Sequence, residues 1–371
     1  MAGAQTACVG VGVIKFAQIC VGKQMKSIEA EDLRLRELSA WLTSAAVKAA
    51  VGDSVADGQL APASADASFR RYFRITHEGG TVIAMDAPPP QEDCRPFVRI
   101  GRMMADAGLN TPTVFAQDIE RGFLLLTDLG RETYLDVINA DNISPLMRDA
   151  TDSLVKWQLA SKPDALPAYD EAVLRREISL FPDWYVAKHL QVELTQQQRE
   201  TMESVFSTVI ASNLAQQRVY VHRDFMPRNL MASSPNPGVL DFQDALYGPI
   251  GYDIACLWRD AFVSWEEEII LDGTVRYWEK AKCAGLPVPH DFGDFYRDVE
   301  WMALQRHLKV MGIFARINYR DGKPRYLGDT PRFARYIRKC CERYSPLFPL
   351  ARLFDQLKID DGLARTSGVS F

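Results

Sequence analysis

The apolar stretch Val219–Val221 runs into His222-Arg223-Asp224, four residues later comes Asn229, and Asp241 follows within a second apolar stretch, Val239-Leu240-Asp241-Phe242. A carboxylate, an amide and a second carboxylate at this spacing are what phosphoryl transfer needs. One carboxylate accepts the proton of an attacking hydroxyl, while an amide oxygen and another carboxylate hold magnesium against the phosphates. Two short strands joined by a loop would bring all three to one mouth. Asp224 and Asn229 also have an ordinary reading as turn formers, with His222 as a hydrogen-bonded core histidine. The strand-loop-strand context favours the chemistry.

The surrounding elements must hold that loop. From Glu29 to Ala50, the residues Leu35, Leu38, Leu42, Ala45 and Ala49 keep helical spacing. Gly58 to Ser68 reads as a loop. Phe69, Arg71, Phe73 and Ile75 then alternate with Arg70, Tyr72 and Arg74 as in a strand, and Gly79-Gly80 turns the chain into a second strand, Thr81–Met85. A helix is expected from about Glu92 to Ala107, ended by Gly108, with strands near Thr113–Gln117 and Phe123–Thr127. Beyond Asp128 helices dominate. Ser144-Pro145 reads as a cap with proline in the first turn, and Thr195 with Gln198 as a capping box. Roughly three helices fit between Ser144 and Gln217. Short strands follow at Val219–Val221 and Gly238–Phe242, then helices from Gly251 to Tyr344. The plan is α+β in two lobes with a cleft between them. A small β-rich lobe of residues 27–127 would bind nucleotide, and a larger helical lobe of 128–371 would carry the catalytic and substrate-binding residues. Residues 1–26 read as an extension outside the fold, with Met25 opening the chain proper.

Composition sets outer bounds. The chain has 371 residues, 47% of them hydrophobic and 25% charged, which excludes a disordered or fibrous protein. A net charge of −5 gives no global attraction to nucleic acid. No apolar run reaches the ~18 residues of a membrane span. Seven scattered cysteines, with no C-x-x-C pair or Cys/His cluster, point to a reducing cytoplasm and not to zinc or a disulfide framework.

Val221-His222-Arg223-Asp224-Phe225-Met226-Pro227-Arg228-Asn229, Val239-Leu240-Asp241-Phe242 and Gly248-Pro249-Ile250-Gly251-Tyr252-Asp253-Ile254-Ala255 together resemble the catalytic core of the aminoglycoside phosphotransferase/choline kinase-like family, relatives of protein kinases. The resemblance covers Ala61 to Tyr344. It implies a two-lobed protein-kinase-like fold that uses ATP and Mg2+. Asp224 would be the catalytic base, Asn229 and Asp241 would hold the metal, and Asp253 would open a helix and brace the loop, with His222 supporting the site. A hinge near Asp128–Leu129 would meet adenine through backbone groups.

Four segments, Asp66–Arg74, Met85–Pro89, Leu126–Gly130 and Gln305–Phe314, are similar to the bacterial anomeric N-acetylmuramate and N-acetylglucosamine kinases. Members of that group phosphorylate the anomeric hydroxyl of a small amino sugar during cell-wall recycling. Arg306 and His307 fall in the last segment and are expected substrate contacts. Other small alcohols, an aminoglycoside, choline or a different sugar, are the alternative acceptors.

One position departs from the kinase pattern. Kinases carry a phosphate-gripping lysine on the third strand of the small lobe. Here Met85 or Asp86 takes that place, and no lysine lies between Lys48 and Lys156. The glycine-rich loop is replaced by Ala63–Ser68. Either the chain is a non-catalytic nucleotide-binding pseudokinase, or arginine grips the phosphates in lysine's stead. Arg70, Arg71 and Arg74 are the candidates, and Ser68, at the end of the replaced loop, is a further expected nucleotide contact. Alternation sets Arg71 on one strand face and Arg70 with Arg74 on the other, without choosing between faces. A base together with both metal ligands favours activity. From Arg306 to Arg343 there are eleven Lys/Arg against three Asp/Glu, a wall that would repel a polycationic aminoglycoside and suit the carboxylate of N-acetylmuramate.

Overall fold

The computed structural model describes residues 33–64 and 69–359. The extension at 1–26 and the expected phosphate contact Ser68 lie outside the described residues.

Helical residues 33–42 (α1) and a second helix α2 (Ala45–Val51) stand where one helix was expected. Ser44 breaks them: its backbone is extended and its hydroxyl accepts the Val47 N–H, so it caps a new helix. Strands β1 (Gln59–Ser64), β2 (Arg71–His77) and β3 (Gly80–Asp86) follow, then helix α3 (Arg95–Asp106) and strands β4 (Val114–Asp118) and β5 (Phe123–Thr127). The strands form one antiparallel sheet in the order β1-β2-β3-β5-β4. β1 lies in the expected Gly58–Ser68 loop. It is an edge strand, where Pro62 needs no ladder donor and a register shift between Pro62 and Ser64 is accommodated.

Ile75, Val82, Ala84, Phe123 and Leu125 bury one sheet face against Leu38, Trp41 and Leu42 of α1 and Val47 of α2. The register sets Arg71 opposite Asp86 and Phe73 opposite Ala84, on that helix-covered face. Tyr72, Arg74, Ile83 and Met85 point to the other face, because side chains alternate along a strand.

The remaining elements are mostly helical: α4 (Tyr134–Val137), α5 (Ile143–Leu159), α6 (Glu171–Ile178), a π-helix (Phe181–Leu190) and α7 (Gln196–Ala215). Next come β6 (Arg218–Val221), β7 (Leu230–Met231), β8 (Gly238–Val239) and β9 (Leu246–Pro249), then α8 (Tyr252–Trp258), α9 (Glu267–Cys283), α10 (Phe292–Asp321), α11 (Thr330–Arg343) and α12 (Phe348–Gln356). The capping box at Thr195 and Gln198 forms as expected. The cap at Ser144 does not: α5 starts two residues earlier than expected, at Ile143, and the Asn142 side chain before it accepts the Asn139 N–H at 2.7 Å. α10 runs for 30 residues through the main apolar cluster, packing Met302, Leu308 and Met311 among residues of α6, α7, α11 and α12.

The contacts divide the chain into two compact units. One takes residues up to Arg95 with Thr113–Asp128; the other takes Pro96–Pro112 and everything from Leu129. Nearly all of α3 thus groups with the second unit. Among the described residues no helix is long and apolar enough to cross a membrane.

Candidate active site

β6 pairs antiparallel with β9 and buries Val219, Tyr220 and Val221 before the chain leaves the sheet. It turns at Arg223, a non-glycine residue with φ of 79°, in the left-handed region that only a well-determined site retains. Asp253, in the first turn of α8, fixes this turn. Its carboxylate accepts the His222 N–H at 2.7 Å and the Arg223 N–H at 3.0 Å. Burial raises the Asp253 carboxyl to about 7, against the lowering effect of the two amides.

His222 ties the loop to the following strand pair. Its Nδ1 accepts the Asp224 N–H at 3.3 Å, so Nε2 carries the proton and donates to the Leu240 carbonyl at 3.0 Å. Burial lowers the ring to about 4, with the Asp224 charge opposing, and the imidazole is neutral near pH 7.

Asp224, Asn229 and Asp241 are all half-buried and meet here. The Asn229 Nδ2 donates to the Asp224 carbonyl at 2.9 Å and reaches Asp241 Oδ2 at 3.5 Å, while the Leu240 N–H donates to the Asn229 carbonyl at 3.0 Å. These bonds fix the amide so that Oδ1 is the atom left for a cation. Asp241 has φ of 61°, and its Oδ1 accepts Gln243 Nε2 at 2.8 Å. Phe242 anchors the segment on α3, with its ring 4.8 Å from that of Phe97 and against Gly101. Gln243 is a site residue that the sequence reading missed. Its only signal was its place two residues after Asp241.

An amide oxygen and a carboxylate are hard donors, and two protein ligands suit a magnesium ion that shares its other positions with water and phosphate. Among the described residues no group of three or more His, Cys, Asp or Glu forms a metal cage. The donor set fits Mg2+ bound together with a nucleotide.

The expected phosphate contacts divide by sheet face. Arg71 donates from Nε at 3.0 Å and from Nη2 to the buried Asp86, which also takes Nη2 of Arg34 from α1. That carboxylate, in one alignment at the kinase lysine's place, is thus enclosed by two guanidinium groups. Arg74, on the opposite face, grips Asp128 through Nε at 2.5 Å and Nη2 at 2.9 Å. Arg70 stands 3.9 Å from Glu92. Leu129 opens the second unit.

Arg306 and His307, expected at the substrate, lie inside the helical core at 2% exposure each. His307 bonds the Arg259 carbonyl through Nε2 at 3.1 Å, and its ring contacts Phe333 and Tyr336. Arg306 sits under the loop with Nη2 3.5 Å from Met226 Sδ. Both pack against protein, because α10 is buried on all sides at this level.

Residues 59–291 match the model of the phosphotransferase enzyme family. The chain belongs to that family. An N-acetylmuramate/N-acetylglucosamine kinase of Pseudomonas aeruginosa is 53% identical over 330 residues, covering 88% of this chain and 98% of that one. A protein of the same name from Neisseria meningitidis is 49% identical, covering 83% and 93%. Among solved structures, a choline/ethanolamine kinase family protein of Mesorhizobium loti aligns with a TM-score of 0.56 at 14% identity, over 86% of this chain and 99% of that one. Choline kinase of Cryptosporidium parvum aligns at 0.55 and 12%, over 80% and 93%. This phosphotransferase therefore has the protein-kinase-like α+β fold, a sheet-bearing N-terminal region followed by a larger helical one.

Proposed function

We propose that the chain is an ATP-dependent kinase that transfers the γ-phosphate to the anomeric hydroxyl of N-acetylmuramate or N-acetylglucosamine in the cytoplasm, as a step of cell-wall recycling. The observation that carries the acceptor is the identity of about half of all residues with amino-sugar kinases matched over nearly their whole length.

Asp224 takes the proton of the anomeric hydroxyl as the new O–P bond forms and the bond to the ADP oxygen breaks; the proton remains on the carboxyl group. An anomeric hydroxyl is somewhat more acidic than an ordinary alcohol, which eases its deprotonation by a carboxylate. Asn229 Oδ1 and Asp241 are assigned to Mg2+, which when bound neutralises phosphate charge. Asp253 and His222 hold the loop in place. Asp128 and Leu129 are assigned to adenine through their backbone groups. Arg71 lies on the helix-covered face; Arg70 and Arg74, which alternation sets on the other face, are the guanidinium groups assigned to the phosphates, Arg74 while it is bonded to Asp128.

Coupled ADP release with magnesium-ATP against N-acetylmuramate, N-acetylglucosamine, glucose, choline and kanamycin, followed by phosphorus NMR of the product, tests this reading. Turnover on the N-acetyl sugars with phosphate on the anomeric oxygen is the expected result. Turnover on kanamycin or choline alone would overturn the acceptor. Nucleotide binding with no turnover on any of the five would make the protein a pseudokinase.

A further inference from the structure

Behind the loop bearing Asp224 lies a buried polar cluster that none of the roles above uses. Glu177, on α6, is 6% exposed and shares its face with buried Leu174 and Ile178. Its Oε1 accepts Nη2 of Arg223 in a short bond and Nζ of Lys309 at 2.9 Å. Its Oε2 accepts the Tyr169 hydroxyl in another short bond and Gln305 Nε2 at 3.4 Å. Lys309 also donates to the Tyr252 hydroxyl at 3.2 Å. One carboxylate thus joins α6 to α10 and the loop, and through Lys309 to α8.

The cluster holds together by charge. Burial alone would raise the Glu177 carboxyl, but the Lys309 ammonium and the Arg223 guanidinium, with the Tyr169 hydroxyl, bring it down to about 2. Without Glu177, the buried Lys309 ammonium and the half-buried Arg223 guanidinium would face each other with no carboxylate between them.

The cluster's place in the chain gives it a consequence. Arg223 immediately precedes Asp224 and holds a left-handed backbone, which persists only where the surroundings over-determine it. Asp253 takes its N–H at 3.0 Å and Cys256 Sγ contacts its carbonyl at 3.3 Å. Glu177 holds the far end of its side chain, with a longer bond from Nη1 to the Asp244 carbonyl at 3.4 Å. We propose that Glu177 is a positioning residue: by anchoring the Arg223 side chain it fixes the direction in which Asp224 leaves the loop. The inference rests on Asp224 being the base.

The test uses Glu177→Gln, which keeps the shape and removes the charge, in the full-length protein. Turnover with magnesium-ATP and the accepted amino sugar should fall about 10²-fold, as misplacement of a reacting group predicts. KM for both substrates should stay unchanged. Hydrogen–deuterium exchange should quicken in residues 222–229 and stay unaltered in α7. Should the single variant fold poorly, Glu177→Gln with Lys309→Met removes the stranded ammonium and leaves Arg223 unanchored, so turnover should stay low. Full turnover in either variant, or faster exchange across α7 as well as the loop, would overturn the proposal. Asp224→Asn separates the two readings. If it retains turnover, the base assignment fails and the positioning role falls with it. If it is inactive while Glu177→Gln is unimpaired, only the positioning role fails.

Discussion

Asp224 is bordered by groups that are fixed in their protonation and direction, His222 with its neutral ring on one side and the Asn229 amide on the other. Replacing it with asparagine preserves shape and backbone bonds while removing the carboxylate proposed to accept the proton. Asp224→Asn is expected to lower kcat by about 10²–10⁴-fold, with an unchanged melting temperature; coupled ADP release and thermal unfolding measure the two. The arginines give a second expectation. Both variants should lower stability, since Arg71→Met leaves the buried Asp86 with only Arg34 and Arg74→Met removes two bonds to Asp128, but only Arg74→Met should raise KM for ATP. A KM for ATP raised by Arg71→Met and not by Arg74→Met would move the phosphate contact to the helix-covered face. That Asp224, Asn229, Asp241 and Asp253 come together was legible in the sequence, because they lie in one short stretch. Glu177 was not, since its partners Arg223 and Lys309 are 46 and 132 residues away. A lone carboxylate on the apolar face of α6 was the only sign of it.

Elements with strong alternation or capping chemistry were readable, as the match of β2 to β5 and the Thr195 cap illustrate. β1 was missed because Pro62 and its small neighbours resemble a loop, and an edge position tolerates what a central strand would not. The π-helix left no mark in the sequence, since its wider turn follows from what it packs against. There Gly312 of α10 meets Leu180, just before the π-helix, so closely that an added Cβ would stand 2.3 Å from the Leu180 carbonyl oxygen. Gly312→Ala should therefore destabilise the protein by about 1–3 kcal/mol through overpacking, visible as a lower denaturation midpoint. An unchanged midpoint would mean that the π-helix yields without cost.

Of the eleven Lys and Arg between Arg306 and Arg343, Arg306, Lys309 and Arg338 are buried, while Arg320, Lys323, Arg325, Lys339 and Arg343 are exposed. Lys309 bonds Glu177, Arg338 bonds Asp355, Arg332 bonds Asp329, and Arg343 bonds Glu267 and Glu300. The basic excess is thus divided between ion pairs and exposed side chains, and only the exposed part could act on an acceptor from a distance. The buried histidines make stability depend on pH. Burial lowers His222 to about 4 and His307 to about 3, against about 6.5 for an unfolded histidine. Below pH ~6.5 the unfolded chain binds protons that the native rings refuse, so their contribution is present above that pH and lost as pH falls toward 3. Asp253, raised to about 7, acts in the opposite sense over the upper part of this range. Glu177 and Glu267, both held near 2, add a loss below about pH 4.5. Between pH 7 and 5 the wild type should lose more melting temperature than His307→Gln, and equal losses would refute a neutral buried ring. The division into units has a consequence during synthesis. The sheet needs β5 beside β3, yet α3 emerges from the ribosome between them and packs Phe97 and Gly101 on Phe242, made much later. A growing chain stopped after Asp128 would thus hold all five strands of the sheet but not Phe242, and the apolar face of α3 would lack that partner until the later stretch was made.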